Sequence, residues 1–275
     1  MKTKFLIVPV VFSALLLASC GGSYSSDSSG TSNSYGSSDN NYGKTTDDTM
    51  KKDTNSNSQV STLSEKDVLA TVKSKLDSDV VVMLPKSIPL SSNKHYLSAM
   101  TTSSPDEYNV IFYETKSPIS VNSSDLKDTA KATPLATVSG KNYATEQEAA
   151  DATGHIDNVN TGMNGVDLGS GITGYSDAGA GSTFLNWAEG RWSMGVRNTT
   201  SADPQDSIDL AKKIVAKLEQ ETLPAPHQVG GMKLEAAPNR ADGNIISWQE
   251  GKTDYIVSGF TDPLDGITIT TSFTE

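Results

Sequence analysis

Residues 184–196 read FLNWAEGRWSMGV. Trp192, Met194 and Val196 alternate with Ser193, Gly195 and Arg197, the period of two expected of a strand with one buried face. Glu189-Gly190 divides this run from the one before it, and a glycine between two alternating runs supplies the positive φ of a tight hairpin turn. Residues 245–257, IISWQEGKTDYIV, align with the first stretch without a gap. Trp187, Glu189, Gly190 and Val196 match Trp248, Glu250, Gly251 and Val257, and Arg191 is matched by Lys252. Two such hairpins predict an antiparallel sheet, with a duplicated unit or a chance likeness of two hairpins as alternative sources of the match. All 3 tryptophans of the chain lie on them. Trp187, Trp192 and Trp248 either fill the core or form an aromatic contact surface for a partner. Trp187 and Trp192 point to opposite faces in one register of the turn and to the same face in another, so the pattern leaves that choice open.

Working outward, helical signals flank the hairpins. Ser64 and Asp67 fit a capping pattern, followed by Val68, Leu69, Val72 and Leu76 on one face. Thr145 and Glu148 mark a short second helix. Asp203-Pro204 starts a third, in which Ile208, Leu210, Ala211, Ile214, Val215 and Leu218 make a broad apolar face, running on to about Leu223-Pro224. Strand-like runs are expected at Val80–Leu84, Tyr96–Thr102 and Tyr108–Tyr113. The fold class is therefore α+β, an antiparallel sheet with Trp-x-Glu-Gly hairpins packed by two or three helices. The globular region is expected to cover 63–275, as one body or as lobes 63–160 and 161–275.

The N-terminal part is of another kind. Lys2 and Lys4 precede an apolar run, FLIVPVVFSALLLA, too short and too interrupted by Pro9 for a comfortable permanent span. Leu17-Ala18-Ser19-Cys20 follows, and then Gly21 and Gly22. This ending resembles the lipobox of bacterial lipoproteins. The resemblance implies removal of residues 1–19 as a signal peptide, a diacylglyceride on Cys20, and a protein held on the outer side of the cell membrane. Cys20 is the only cysteine among 275 residues, so a disulfide framework and a thiolate metal site are both excluded. Exported proteins without disulfides are common in Gram-positive envelopes, and the cysteine count points that way. From residue 20 to about 62 the composition turns to Ser, Gly, Asn, Asp and Thr, with too few apolar residues to offset chain entropy. A tether of this length has a mean span of roughly 35 Å.

Net charge is −11, and loss of the two signal-peptide lysines leaves 20 basic against 33 acidic residues, or −13. An acidic surface disfavours nucleic acid and anionic lipid as partners. The partners expected are instead the membrane, through the lipid on Cys20, and an envelope protein or glycan.

The hairpins, with a helix between them, resemble exported domains of unknown function found in Gram-positive lipoproteins and on some membrane anti-sigma factors. That likeness covers about the last 95 residues of the chain. It implies no catalytic residues, and the chain has no sigma-binding part to match.

Chemical motifs are sparse. Gly169-Ser-Gly171-Ile-Thr-Gly174 fits G-x-G-x-x-G, but YSDAGAGST follows where a dinucleotide loop needs a helix. Asp157–Gly162 has Val159 and Leu168 where a calcium loop needs oxygen ligands. His95, His155 and His227 stand apart, Ser91–Lys94 fits S-x-x-K outside a helix start, and Glu189 and Glu250 sit at turn tips where carboxylates are normally solvated. No cofactor and no catalytic set is expected. The function expected is ligand or partner binding by an envelope lipoprotein, through the glycine-rich stretch Gly165–Gly181 and the adjoining hairpin. The alternatives are an exported hydrolase with a dispersed site and a structural or sensory accessory of the envelope or spore coat.

Overall fold

The computed structural model describes residues 64–160, 165–236 and 241–273. The chain divides into two units, Met1–Ser56 and Asn57–Glu275, and every described residue belongs to the second. The expected signal peptide, Cys20 and the whole of the expected tether, residues 20–62, lie outside the described residues.

Ten strands form one sheet: β1 (Tyr96–Ser104), β2 (Glu107–Thr115), β3 (Ala132–Asn142), β4 (Gly165–Gly169), β5 (Ile172–Gly179), β6 (Ser182–Glu189), β7 (Trp192–Thr199), β8 (Gly230–Glu235), β9 (Ile245–Glu250) and β10 (Thr253–Ser258). Their spatial order is β1-β2-β3-β10-β9-β8-β7-β6-β5-β4. All neighbours are antiparallel except β7 and β8, which run parallel. Four α-helices accompany them: α1 (Glu65–Lys75), α2 (Glu146–Ala152), α3 (Pro204–Leu218) and α4 (Pro263–Thr271). The class is α+β. The sheet runs without a break through both halves of the chain, because β3 pairs with β10.

Each helix begins where its cap dictates. Ser64 Oγ accepts from the amide of Asp67 and the Asp67 carboxylate accepts from the amide of Ser64, closing a reciprocal cap on α1. Thr145 caps α2 in the same way through the amide of Glu148. Asp203 and Asp262 cap α3 and α4, each followed by proline in the first turn, where a missing N–H costs nothing. Helix α3 stops at Leu218, earlier than its apolar pattern suggested, and residues 219–226 leave it as an irregular segment. Helix α4 carries Thr268, Thr270 and Thr271, poor helix formers that hid it in the sequence, and is held by burial of Ile267 and Ile269.

The turn of the first hairpin is the pair Gly190-Arg191, since Glu189 faces Trp192; Gly190 has φ +60°. In the second, Glu250 faces Thr253 and Gly251 has φ +58°. Directly opposed residues lie on one face. Trp187 opposes Met194, and the next pair on that face is Glu189 and Trp192. Gly230 opposes both Trp192 and Trp248, so all three tryptophans share a face. Helices α1, α3 and α4 cover that face, and the core consists of their inner residues, such as Val72, Ala211, Ile214 and Ile267, against Phe112, Val138, Val196, Ile246 and Val257.

Two elements differ from the sequence reading. Val80–Leu84 is not a strand. Tyr108 Oη donates to Met83 O at 2.7 Å and Tyr255 Oη donates to Val81 O at 2.9 Å, so the segment is pinned to the core face by side chains in place of a ladder. Strand β3 escapes notice because it contains Pro134. The proline is tolerated because β10 pairs only with Thr137–Asn142, which leaves Pro134 beside β2 alone at a register shift.

This boundary predicts that limited proteolysis of the mature protein yields a stable fragment beginning near Ser64. A protected fragment that began near Gly21 would contradict the tether.

Candidate functional site

The face opposite the tryptophans is polar and unevenly covered. Tyr113, Leu126 and Ala132 make a small apolar cluster at its β1–β3 end. Helix α2 lies over β9 and β10. Beyond α2, over β5 to β8, the face opens into a cleft of about 400 Å³ whose lining includes Asp177, Asn186, Gly195, Arg197, Lys233 and Glu235.

The sheet register builds this lining in two rows. Asp177, Phe184, Arg197 and Glu235 oppose one another in turn across β5, β6, β7 and β8. One step along the strands, Tyr175, Asn186, Gly195 and Lys233 do the same. Successive strands lie about 4.8 Å apart, so each row spans roughly 14 Å.

The charges are not equivalent. Arg197 Nη1 donates to both carboxylate oxygens of Glu235, at 2.9 and 3.0 Å, and Arg197 Nε donates to Ser182 Oγ at 3.0 Å. Glu235 is 6% exposed, so this pair is fixed and internally neutral. Lys233, in contrast, makes no ion pair among the described residues, and its Nζ reaches the bend after α2, 2.5 Å from where a Cβ on Gly154 would be. Asp177 accepts only from the neighbouring amide of Ala178. Asn186 is 9% exposed, and its carboxamide has no hydrogen-bond partner among the described residues. Its donors and acceptor face the cleft, where a ligand can pair with them. Gly195, opposite it, makes room for this side chain: a Cβ there would lie 2.7 Å from Asn186 Oδ1. Residues 153–156 close one side, with the amide of Ile156 donating to Ser193 Oγ at 2.9 Å and His155 Nδ1 2.9 Å from the carbonyl of Gly230.

The tryptophans do not belong to this site. Trp187 and Trp248 are 0% exposed and Trp192 is 5% exposed. Trp187 Nε1 donates to Glu189 Oε1, Trp192 Nε1 donates to Pro224 O, and Trp248 stacks on Tyr255 with Phe273 against its edge. Their burial replaces the aromatic contact surface with core packing. The turn carboxylates are also less solvated than expected: burial pushes Glu189 and Glu250 above the usual carboxylate range. Three strand spacings separate β6 from β9, roughly 14 Å between backbones.

The structure does gather one group that resembles a triad. His95 Nδ1 lies 2.8 Å from Glu114 Oε1 and 3.3 Å from Ser91 Oγ. Serine and carboxylate therefore meet the same ring nitrogen, and Ser91 Oγ itself donates to Glu114 at 2.9 Å. A relay needs the two on opposite nitrogens, so this is a local cap on Glu114 and not a nucleophile. Burial alone would raise the Glu114 carboxyl, but the bonds from His95 and Ser91 outweigh it and hold it below the usual range. Gly169-Ser-Gly171 is the turn between β4 and β5, with φ of +93°, +51° and +78°, and opens no helix. His227 is exposed, 3.9 Å from Glu146.

No protein-family model, curated protein or solved structure matches the chain.

Proposed function

We propose that the protein is a lipid-anchored, extracytoplasmic binding protein of the cell envelope, and that its ligand sits in the β5–β8 cleft. The observation that carries the binding half is the Asn186 carboxamide, which lies over Gly195 on the cleft floor and makes no hydrogen bond among the described residues. A side-chain amide with both its donors and its acceptor free at a cleft floor is available to a ligand. The site combines a donor and acceptor, two uncompensated charges and a partly apolar wall, the makeup of a small-ligand pocket. Three of its residues, Asp177, Phe184 and Asn186, lie in or beside the glycine-rich hairpin region, where the tight turns hold β5 and β6 together. Turnover is the less supported reading, because no nucleophile with its own base faces the cleft among the described residues.

The anchoring half rests on the lipobox-like Leu17-Ala18-Ser19-Cys20 and on the tether that follows. Cys20→Ala is expected to abolish metabolic labelling with palmitate and partition into detergent. Unchanged labelling of that variant would end the lipoprotein reading. For binding, envelope-derived peptides and glycans are expected to raise the melting temperature of the mature protein. Asn186→Leu should remove that rise without loss of fold, and a rise that survives the substitution would move the ligand out of the cleft.

A duplicated unit is the architecture we infer for residues 172–271. Units β5-β6-β7-α3 and β8-β9-β10-α4 share strand order, and the parallel β7–β8 pairing gives them the same direction. Each closes on an Asp-Pro helix start, Asp203-Pro204 and Asp262-Pro263, which supports the hairpin alignment in the sequence.

A further inference from the structure

We infer that the ligand of the β5–β8 cleft is a short zwitterionic peptide of two or three residues with free ends. This inference rests on the cleft being a binding site, and it adds the ligand's class.

The argument starts from charge. Arg197 and Glu235 neutralise one another, so the pair offers rigid polar walls and no net attraction. Among the described residues of the lining, what remains is one cation, Lys233, on β8, and one anion, Asp177, on β5. A ligand without charge would desolvate both ends and compensate neither. A purely anionic ligand would meet Asp177, and a purely cationic one would meet Lys233. Only a ligand with opposite charges at its two ends matches both.

Spacing sets the length. Asp177 stands on β5 and Lys233 on β8, so their backbones are roughly 14 Å apart at about 4.8 Å per strand. The two side chains take up part of that distance and leave roughly 7–10 Å, the span of two or three extended residues at about 3.4 Å each. A free amino acid is too short to reach both. Lys233 Nζ lies beside the Gly154 bend at its end of the cleft, 2.5 Å from where a Cβ on Gly154 would be.

Between the charges lies a group suited to a peptide link. Strand order places Asn186 on β6, after Asp177 on β5 and before Lys233 on β8. Its carboxamide offers one acceptor and two donors, the complement of a peptide N–H and C=O. The absent side chain at Gly195 lets this carboxamide lie across the cleft floor. Phe184 and Ile156 supply apolar surface for a ligand side chain. The order ammonium, peptide, carboxylate is thus met by Asp177, Asn186 and Lys233.

The test is calorimetric titration of the mature protein with tri-alanine, its N-acetyl form, its C-terminal amide, and the neutral glycan chitotriose. Tri-alanine is expected to bind, and blocking either end should weaken it at least tenfold. Lys233→Met should abolish the preference for the free carboxylate while keeping the preference for the free amine, and Asp177→Asn should do the reverse. Equal binding of the blocked and free peptides would overturn the inference, and so would binding of chitotriose in their place. Chitotriose binding that Asn186→Leu removes would leave the cleft a binding site with another ligand class. No binding by any of the four probes would overturn the peptide inference. If melting-temperature screening with envelope fragments were also blank, the binding reading would fall with it.

Discussion

Trp187→Ala is expected to lower stability by about 3–5 kcal/mol, the usual cost of removing a buried aromatic. Trp187 has no exposed surface, opposes Met194 and belongs to the continuous core under α3. Truncation removes its contacts, leaves a cavity, and takes the indole donor away from the half-buried Glu189 carboxylate. In a domain of this size the loss corresponds to a fall in melting temperature of roughly 10 °C or more. Thermal and urea unfolding followed by tryptophan fluorescence would measure it, and binding per folded molecule should be unchanged, because the side chain lies on the face opposite the cleft. An unchanged melting temperature together with lost ligand binding would mean that the two faces have been assigned the wrong way round.

The second large effect concerns pH. Asp254 on β10 lies on the polar face, 1% exposed, where its Oδ1 accepts from Ser247 Oγ and its Oδ2 has no partner among the described residues. Burial pushes its carboxyl up to about 7, against the hydrogen bond from Ser247 and the charge of Lys141. Because the folded value exceeds the unfolded value of 3.8, the native state binds the extra proton between these limits. Stability from this group is therefore full below about pH 4 and is lost as pH rises to about 7. The shift of about three units corresponds to an effect on the order of 4 kcal/mol. Asp254→Asn should flatten this part of the stability curve and make the protein more stable than wild type at pH 8. Glu114 acts in the opposite sense. Its depressed value gives stability that is present above the unfolded carboxylate range and lost as pH falls through the folded value, so acid unfolding of the Asp254→Asn variant should report mainly on such groups. Urea midpoints from pH 3.5 to 8 separate the two, and a wild-type midpoint that rose steadily from pH 4 to 7 would contradict the assignment for Asp254.

Local rules carried much of this architecture. The caps at Ser64, Thr145 and Asp203 announced three helices, apolar runs announced β1 and β2, and the two aligned hairpins announced β6, β7, β9 and β10. What escaped was set by distant neighbours. Strand β3 keeps its proline only because β10 is short, and α4 is a helix of threonines stabilised by what covers it. The cleft was half visible. Ser193, Gly195 and Arg197 were plain as the polar side of β7, and the stretch Gly165–Gly181 was marked as unusual. Lys233, between Met232 and Leu234, obeys the same alternation in a strand of six residues with two leading glycines, too weak a pattern to place beside β7. The tryptophans misled for a related reason. A two-residue turn at Glu189-Gly190 or at Gly190-Arg191 puts Trp187 and Trp192 on one face alike, and what covers that face is set by helices distant in sequence.

The β3–β10 seam has a consequence for how the molecule assembles. Strands β1 to β3 form a meander of near neighbours, and so do β8 to β10, but Thr253 Oγ1 bonds Asn142 Oδ1 across 111 residues of chain. Closing so long a loop is the entropically expensive step, and topologies that depend on it fold slowly. The first meander therefore waits, with one flank of β3 bare, until nearly the last strand has arrived. Pro134 keeps half of that flank from recruiting another chain in the interval, as prolines do on exposed edges. The residue that concealed β3 in the sequence is thus a guard on the stretch of edge that β10 leaves uncovered.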